Sequence, residues 1–452
     1  MDQTTLDKTA SDKVSITFNQ LYGGGQGVYG KADHNGVKIN NLNETKTIYF
    51  QDSQGWENLK LQYHYKNGNN TWTTVVEGIS LGNAVDTTPL HYIYKVVIPA
   101  DADSFTITGV DKEGTTKTTP EIKCEGLAVD NLYTVDRKGN IQHCNYNGQY
   151  NTVYFYNNQN WTNVSLYYWY LDSSDATGKT TWDTLEFPGE KMTATLKDGT
   201  YDIYKFIVPS YAKGFIISNG TKAGVSGHKQ TVDISTLGCA GKIYYIGDVD
   251  KGTTYKVGSS TYAEGYKTIY FINNWNWSNP QYSYMGIYRD MKYVKQEGTY
   301  KTYSFTIPNF VTEFKVNQQL GEESINIQSS SVTDGKIYWM YFANDQKQLI
   351  ECRKIYLNPG CWNKDNAKFQ AWTWGGKTAD EWITFSDDNK DGIFEAYIAV
   401  DRTGMKLVRR NPSNANNTGD GVWNAIDNIT VSIEDNNLYI VTDWGKGEWS
   451  TK

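Results

Sequence analysis

The chain has 452 residues, a net charge of −7, 21 % charged residues and a mean hydropathy of −0.61. That length holds several domains of ordinary size. The mildly acidic, well-solvated surface excludes nucleic acid and anionic membrane as natural partners, and no run of ~18 apolar residues spans a bilayer. The unusual counts are 35 Tyr, 15 Trp and 41 Gly against 9 Pro. Strands use Tyr and Trp readily, but so hydrophilic a chain cannot bury every ring, so part of the aromatic excess belongs at the surface.

Residues 1–12 (MDQTTLDKTASD) read as a disordered polar tail with no signal peptide, as of a chain whose leader has been removed. Residues 13–44 form a β- and Gly-rich segment that adds a strand or two to the first module, or forms a small cap. Gly25, Gly27 and Gly30 satisfy GxGxxG after the strand-like VSITFNQLY, but the following GKADHNG is no helix start. A glycine loop, not a dinucleotide site, is the expectation.

From residue 46 the chain repeats itself: KTIYFQDSQGWENLKLQYHY at 46, NTVYFYNNQNWTNVSLYYWY at 151, KTIYFINNWNWSNPQYSYMG at 267 and, more loosely, RKIYLNPGCWNKDNAKFQAWTW at 353. Each copy has a β-rich pentad, a polar turn, a Trp and an aromatic strand. The shared Tyr and Trp are Tyr49/Trp56, Tyr154/Trp161, Tyr270/Trp277 and Tyr356/Trp362. A second strand pair recurs at 91, 200, 299 and 392, ending in the first three copies at Pro99, Pro209 and Pro308, where a missing N–H suits a strand end. A third strand closes each copy: NLYTVD at 131, KIYYIGD at 242, KIYWMYF at 336 and NLYIVTD at 437. Helical stripes with caps are nearly absent. Short strands at regular spacing, with turn signals between them, predict an all-β chain, a tandem array of four antiparallel β-sandwich modules. The expected modules are 45–137, 148–258, 266–351 and 353–450, with linkers at 137–150 and 251–265 and a tight third-to-fourth junction at Cys352.

Chemical motifs are sparse. Cys124 with Cys144, and Cys352 with Cys361, are spaced so that either pair can bridge; with Cys239 the count is odd and the sequence leaves the pairing open. Asp387, Asn389, Asp391 and Gly392 match the first half of a calcium loop, but Ile398 stands where a bidentate Glu belongs, and SDDNKDGIF reads better as a hairpin turn. The His are scattered, no GxSxG occurs and no carboxylate pair is singled out by spacing, so no catalytic residue, metal or cofactor is expected.

The aromatic clusters carry more. Tyr63 and Tyr65 lie at i, i+2, on one strand face, with Trp72 beyond a loop; Tyr168, Tyr170 and Trp182 repeat the set. A rigid aromatic surface stacks on the apolar C–H faces of sugars at low entropic cost, while neighbouring polar groups bond the hydroxyls. A strand face that is simply core is the plain alternative for any one Tyr. In the third copy Tyr284 keeps the first place and Gly286 replaces the second Tyr, with Tyr282 and Tyr293 as substitutes. In the fourth, Trp372 and Trp374 share a face and Trp382 follows a short loop.

The second copy, through NNQNWTNVSLYYWY, TTWDTLEFPGEKMT, YKFIVPS, GFIISNGT and QTVDI, resembles a carbohydrate-binding module of family 26. These are starch-binding β-sandwiches attached to bacterial amylases. The resemblance covers nearly all of 148–258 and is weaker at 45–137 and 266–351; the fourth copy is less closely similar to accessory domains of gut bacterial starch-degrading proteins. In that family two Tyr and one Trp stack on maltooligosaccharide, which implies Tyr168, Tyr170 and Trp182 here, and Tyr63, Tyr65 and Trp72 in the first copy. The resemblance implies a secreted or cell-surface, non-catalytic, multivalent binder of starch and maltooligosaccharides, monomeric, working with amylases or a cell-surface complex. A surface adhesin or scaffold with β-sandwich spacers is the alternative; a small β-fold glycan enzyme lacks any catalytic constellation.

Overall fold

The computed structural model describes residues 6–9, 13–16, 39–40, 45–64, 79–82, 84–85, 92–100, 102–172, 177, 181–298, 300–319, 324–343, 346–413, 421–431 and 437–452. Among these there is no α-helix; the chain is all-β. Among the described residues, Leu6–Thr9, Lys13–Ile16 and Ile39–Asn40 pair with one another and with no other strand. This corrects the tail expected over 1–12, because Leu6–Thr9 is a strand. Gly25, Gly27 and Gly30 lie outside the described residues.

The pentads become the opening strands Thr45–Asp52, Tyr150–Tyr156, Tyr266–Asn273 and the second half of Gln346–Asn358. Strand period 2 sends their branched and Phe residues one way: Ile48 and Phe50, Val153 and Phe155, Ile269 and Phe271, Ile355 and Leu357 are all at most 1 % exposed. Burying such a side chain stabilises by about 1.5–3 kcal/mol. The shared Tyr points to the opposite face, where Tyr49 lies 4.4 Å from Tyr146 and Tyr154 stacks on Tyr262 at 3.7 Å.

Every opening strand has the same two neighbours. On one side runs an antiparallel strand: Tyr92–Pro99, Tyr201–Pro209, Tyr300–Pro308 or Phe394–Ala399. On the other runs a parallel strand: Asn131–Val135, Lys242–Lys251, Ile337–Ala343 or Leu438–Asp443. The sandwich layers are therefore not purely antiparallel as expected. The parallel strand turns back as a hairpin, and the returning strands are Ile141–Asn145, Thr254–Thr261, Gln346–Asn358 and Lys446–Ser450. The linkers expected at 137–150 and 251–265 thus contain the strands Ile141–Asn145 and Thr254–Thr261. Gln346–Asn358 serves twice, returning for the third repeat and opening the fourth.

The turn after each pentad is fixed by one side chain. Asn157 donates from Nδ2 to the Trp161 carbonyl and accepts the Trp161 N–H on Oδ1, both at 2.9 Å. Asn273 does the same to Trp277 at 2.7 and 2.9 Å. In the first repeat Asp52 can only accept, taking the N–H of Gln54 and Gly55. In the fourth, Asn358 accepts the Gly360 N–H and Arg409 donates from Nε to the Trp362 carbonyl at 2.8 Å. The residue before the Trp takes positive φ at Gly55, Asn160 and Asn276, residues that tolerate it. The indole is then seated in the core, with Trp161, Trp277 and Trp362 at 6 %, 5 % and 0 % exposure.

Neighbouring repeats are fused. Ile93 and Leu132 of the first join the core of the second, and Tyr156, Ile203 and Ile243 of the second join that of the third. At the second junction Asp198 accepts hydrogen bonds from Tyr156 and Tyr284 and pairs with Arg289 at 3.1 Å, while Arg289 lies 4.0 Å over the Tyr284 ring. At the third, Lys354 bridges Glu297 and Glu395 at 2.7 and 2.6 Å. The 387–392 loop is a turn: Asp387 accepts the N–H of Asp391 and Gly392, and Asp388 accepts the Gly298 N–H of the third repeat at 2.6 Å. All five cysteines are free thiols; burial pushes Cys124 up to about 11 and Cys144 up to about 12.

Two outcomes are expected for stability. Asn273→Ala strands a buried N–H and C=O and should cost about 1–3 kcal/mol in chemical denaturation. Burial works to raise the Glu297 carboxyl, but hydrogen bonds from Lys295, Lys354 and Tyr397 outweigh it and hold it at about 2 instead of 4.5. With the folded value below the unfolded one, this stabilisation is complete above the unfolded value and lost as pH falls towards the folded one. The thermal stability of the full chain should fall across that acid window, and less steeply in Glu297→Gln.

Candidate functional site

In the second repeat the strand Ser165–Leu171 lies between Gly214–Ser218 and the short Thr181–Trp182. Leu166 sets its phase. Leu166, Tyr168 and Tyr170 face the core at 3 %, 3 % and 0 % exposure, so Tyr167 and Trp169 face outward. Their rings stand side by side, centroids 5.9 Å apart and planes 30° apart, forming a shallow curved surface. Phe187 meets Tyr167 edge-on at 5.6 Å and in turn contacts His228 at 5.4 Å.

Sequence explains why the rings hold their places. Trp169 pairs with Gly214, where a Cβ would come within 2.7 Å of the indole. Phe187 arrives in the FPGEK segment, whose Gly189 sits so close to Leu166 that a Cβ would lie 2.0 Å from its carbonyl oxygen. The Tyr167 hydroxyl donates to Asp183 at 2.6 Å, and Arg137 from the first repeat's closing hairpin pairs with the same carboxylate at 2.6 Å. Burial and the hydrogen bond to Asp183 push the Tyr167 hydroxyl above its ordinary range. His228 Nε2 lies 2.9 Å from Gln230 Oε1. Carboxylate, guanidinium and amide thus ring an aromatic surface, an arrangement suited to stacking and hydroxyl bonding.

The fourth repeat has the same outward pair. Trp372 and Trp374 lie on the outer face of Lys368–Trp374, opposite the core residues Phe369 and Ala371. Trp374 covers Gly404 as Trp169 covers Gly214, since a Cβ there would meet the indole at 2.3 Å. Trp382 faces Trp372 directly across the strands, with centroids 5.4 Å apart, and Arg410 lies 4.5 Å from the Trp382 ring. The structure brings together the three residues expected in this copy.

The other expectations are corrected. Tyr168, Tyr170 and Trp182 are together, with Tyr170 stacked on Trp182 at 4.3 Å, but they are core residues at 3 %, 0 % and 5 % exposure. They cannot form the solvent-facing platform the spacing suggested. Tyr63 is likewise in the core of the first repeat, and the matching outer positions hold Gln62 and His64; Tyr65 and Trp72 lie outside the described residues. Tyr282 and Tyr284 are buried in the third core, where Tyr284 serves the junction with Asp198. Tyr293 is exposed, on a different sheet from both. Tyr167, Trp169 and Phe187 were missed because Tyr-Tyr-Trp-Tyr shows no polar alternation. The signals that locate them are Leu166 and the glycine that opens each facing strand, GFIIS and GMKLV.

No family model matches the chain and no curated protein matches it. Among solved structures it is similar to a family 26 carbohydrate-binding module of Amy13K from Eubacterium rectale in complex with maltoheptaose, at 17 % identity over 49 % of this chain and 98 % of that one, with a TM-score of 0.17. It is also similar to an α-glucan-recognising family 41 module from streptococcal virulence factors, at 16 % identity over 47 % and 96 %, TM-score 0.16. The pneumococcal glycogen-degrading SpuA overlaps at 12 % identity over 82 % and 37 %, TM-score 0.16. Scores this low describe partial overlap and assign nothing.

Burial separates the two aromatic layers. Tyr170→Ala and Trp182→Ala should each cost about 3–5 kcal/mol of stability. Trp169→Ala should cost much less, as read by denaturant midpoints of the full chain.

Proposed function

We propose that this chain is a non-catalytic, multivalent binder of α-1,4-glucan chains. The observation that carries the reading is the recurrence, in the second and fourth repeats, of an outward aromatic pair locked over a glycine: Tyr167 and Trp169, then Trp372 and Trp374. Sugar C–H faces stack on such rings, and the flanking Asp183 and Arg137 suit hydroxyls. The choice of starch over other glucans is supported by the resemblance of 148–258 to family 26 modules. A single platform binds weakly, with Kd of about 10⁻³–10⁻⁵ M on the general affinity scale. Tethering a second raises avidity by ~10²–10⁴ without new contacts. The fused junctions favour a fixed spacing between platforms, so a long chain that reaches both loses little further freedom. Attachment of a cell or an amylase complex to starch is the role that fits such a binder.

Native affinity electrophoresis of the full chain through amylopectin, pullulan, dextran and a soluble cellulose derivative tests this. Retardation should be strong in amylopectin and weak or absent in dextran and cellulose. Trp169→Ala and Trp372→Ala/Trp374→Ala should each weaken it by ten-fold or more, and their combination should remove most of it. Unchanged migration of the wild type in every α-glucan would instead favour a scaffold of β-sandwich spacers.

A further inference from the structure

We infer a second, separate glycan-stacking site at one end of the fourth sandwich, formed by Trp423 and Trp444 around the buried Arg409. Trp423 stands on the strand Val422–Thr430 of one sheet, and Trp444 at the tip of the hairpin Leu438–Asp443/Lys446–Ser450 of the other. The two are 42 % and 45 % exposed, and among the described residues of 353–452 no other large hydrophobic side chain is exposed. Both indoles contact one guanidinium, Arg409, at 4.7 and 5.9 Å.

Arg409 is only 4 % exposed and is held on several sides: Nε donates to the Trp362 carbonyl, Nη2 to the Lys364 carbonyl at 2.9 Å and to Asp365. Trp362 in turn donates from Nε1 to the Trp444 carbonyl at 3.2 Å. The indoles are thus buttressed by fixed groups, and little rotamer freedom remains to be lost on binding. A β-bulge separates this site from the Trp372 face: at the register shift between Arg409 and Arg410, Arg410 meets Trp382 and Arg409 meets Trp423.

The occupant is a sugar chain rather than a protein. A protein partner needs a broad apolar area, whereas here two indoles sit in an otherwise polar surface. Around them stand hydroxyl partners: the Asp365 carboxylate, 69 % exposed, the exposed Lys364 and the Asn424 amide. Aromatic faces with a polar rim match a pyranose, apolar on its faces and hydroxylated at its edge. That the sugar is an α-glucan rests on the function proposed above; the site itself does not.

The test is ¹⁹F NMR of the full chain labelled with 5-fluorotryptophan and titrated with maltoheptaose, with resonances assigned by Trp→Phe substitutions at 169, 423 and 444. The Trp423 and Trp444 signals should shift together and saturate. In calorimetry, Trp423→Ala/Trp444→Ala should lower the number of maltoheptaose molecules bound per chain by one, with the melting temperature little changed. Movement of Trp169 with Trp423 and Trp444 static would overturn this site and leave the proposed function standing. Movement of Trp423 and Trp444 with Trp169 static would support this site and sink the second-repeat platform. Static signals at all three would overturn both.

Discussion

Each repeat must stop its opening strand, reverse the chain within a few residues and seat a large indole in the core. One side chain at the strand end makes this possible. Asn157 and Asn273 do it with a single amide, whose donor and acceptor both meet the backbone of the following Trp. Buried peptide groups that would otherwise lose water are satisfied, so the turn is compatible with burial. The strand after the Trp then leaves in a fixed phase, and that phase decides which side chains face solvent. The aromatic surfaces are downstream consequences of a turn.

The fourth repeat solves the same problem with different parts. Its Trp362 carbonyl is met by Arg409, a residue from a strand nearly fifty positions on. An arginine is longer than an asparagine and must be paired when buried. It therefore draws Asp365 and the two indoles towards itself, and a structural substitution at the turn gives the end of this sandwich its pair of exposed indoles.

Much of this was legible in the chain. The repeats, the all-β class, the inward Ile-x-Phe of the pentads and the seated Trp follow from period and composition. The side on which aromatics work was not. In SLYYWYL both faces carry rings, so hydrophobic alternation is silent, and only Leu166 and Gly214 fix the phase. The hairpin strands Ile141–Asn145 and Thr254–Thr261 read as linkers because their few apolar residues, Ile141 and Cys144, Tyr255 and Val257, are outnumbered by polar and glycine neighbours. Cooperation between distant residues, such as Asp198 with Tyr284 and Arg289, leaves no local pattern at all.

The strand Gln346–Asn358 has one more implication. Its first half completes the third repeat and its second half begins the fourth, so no bond within it divides the two. Domains that are shuffled between proteins travel as segments with clean ends. Here a cut anywhere between the two repeats leaves one of them with an unpaired edge. Separating the last two repeats therefore takes a strand from one of them, although the repeat pattern of the chain divides there.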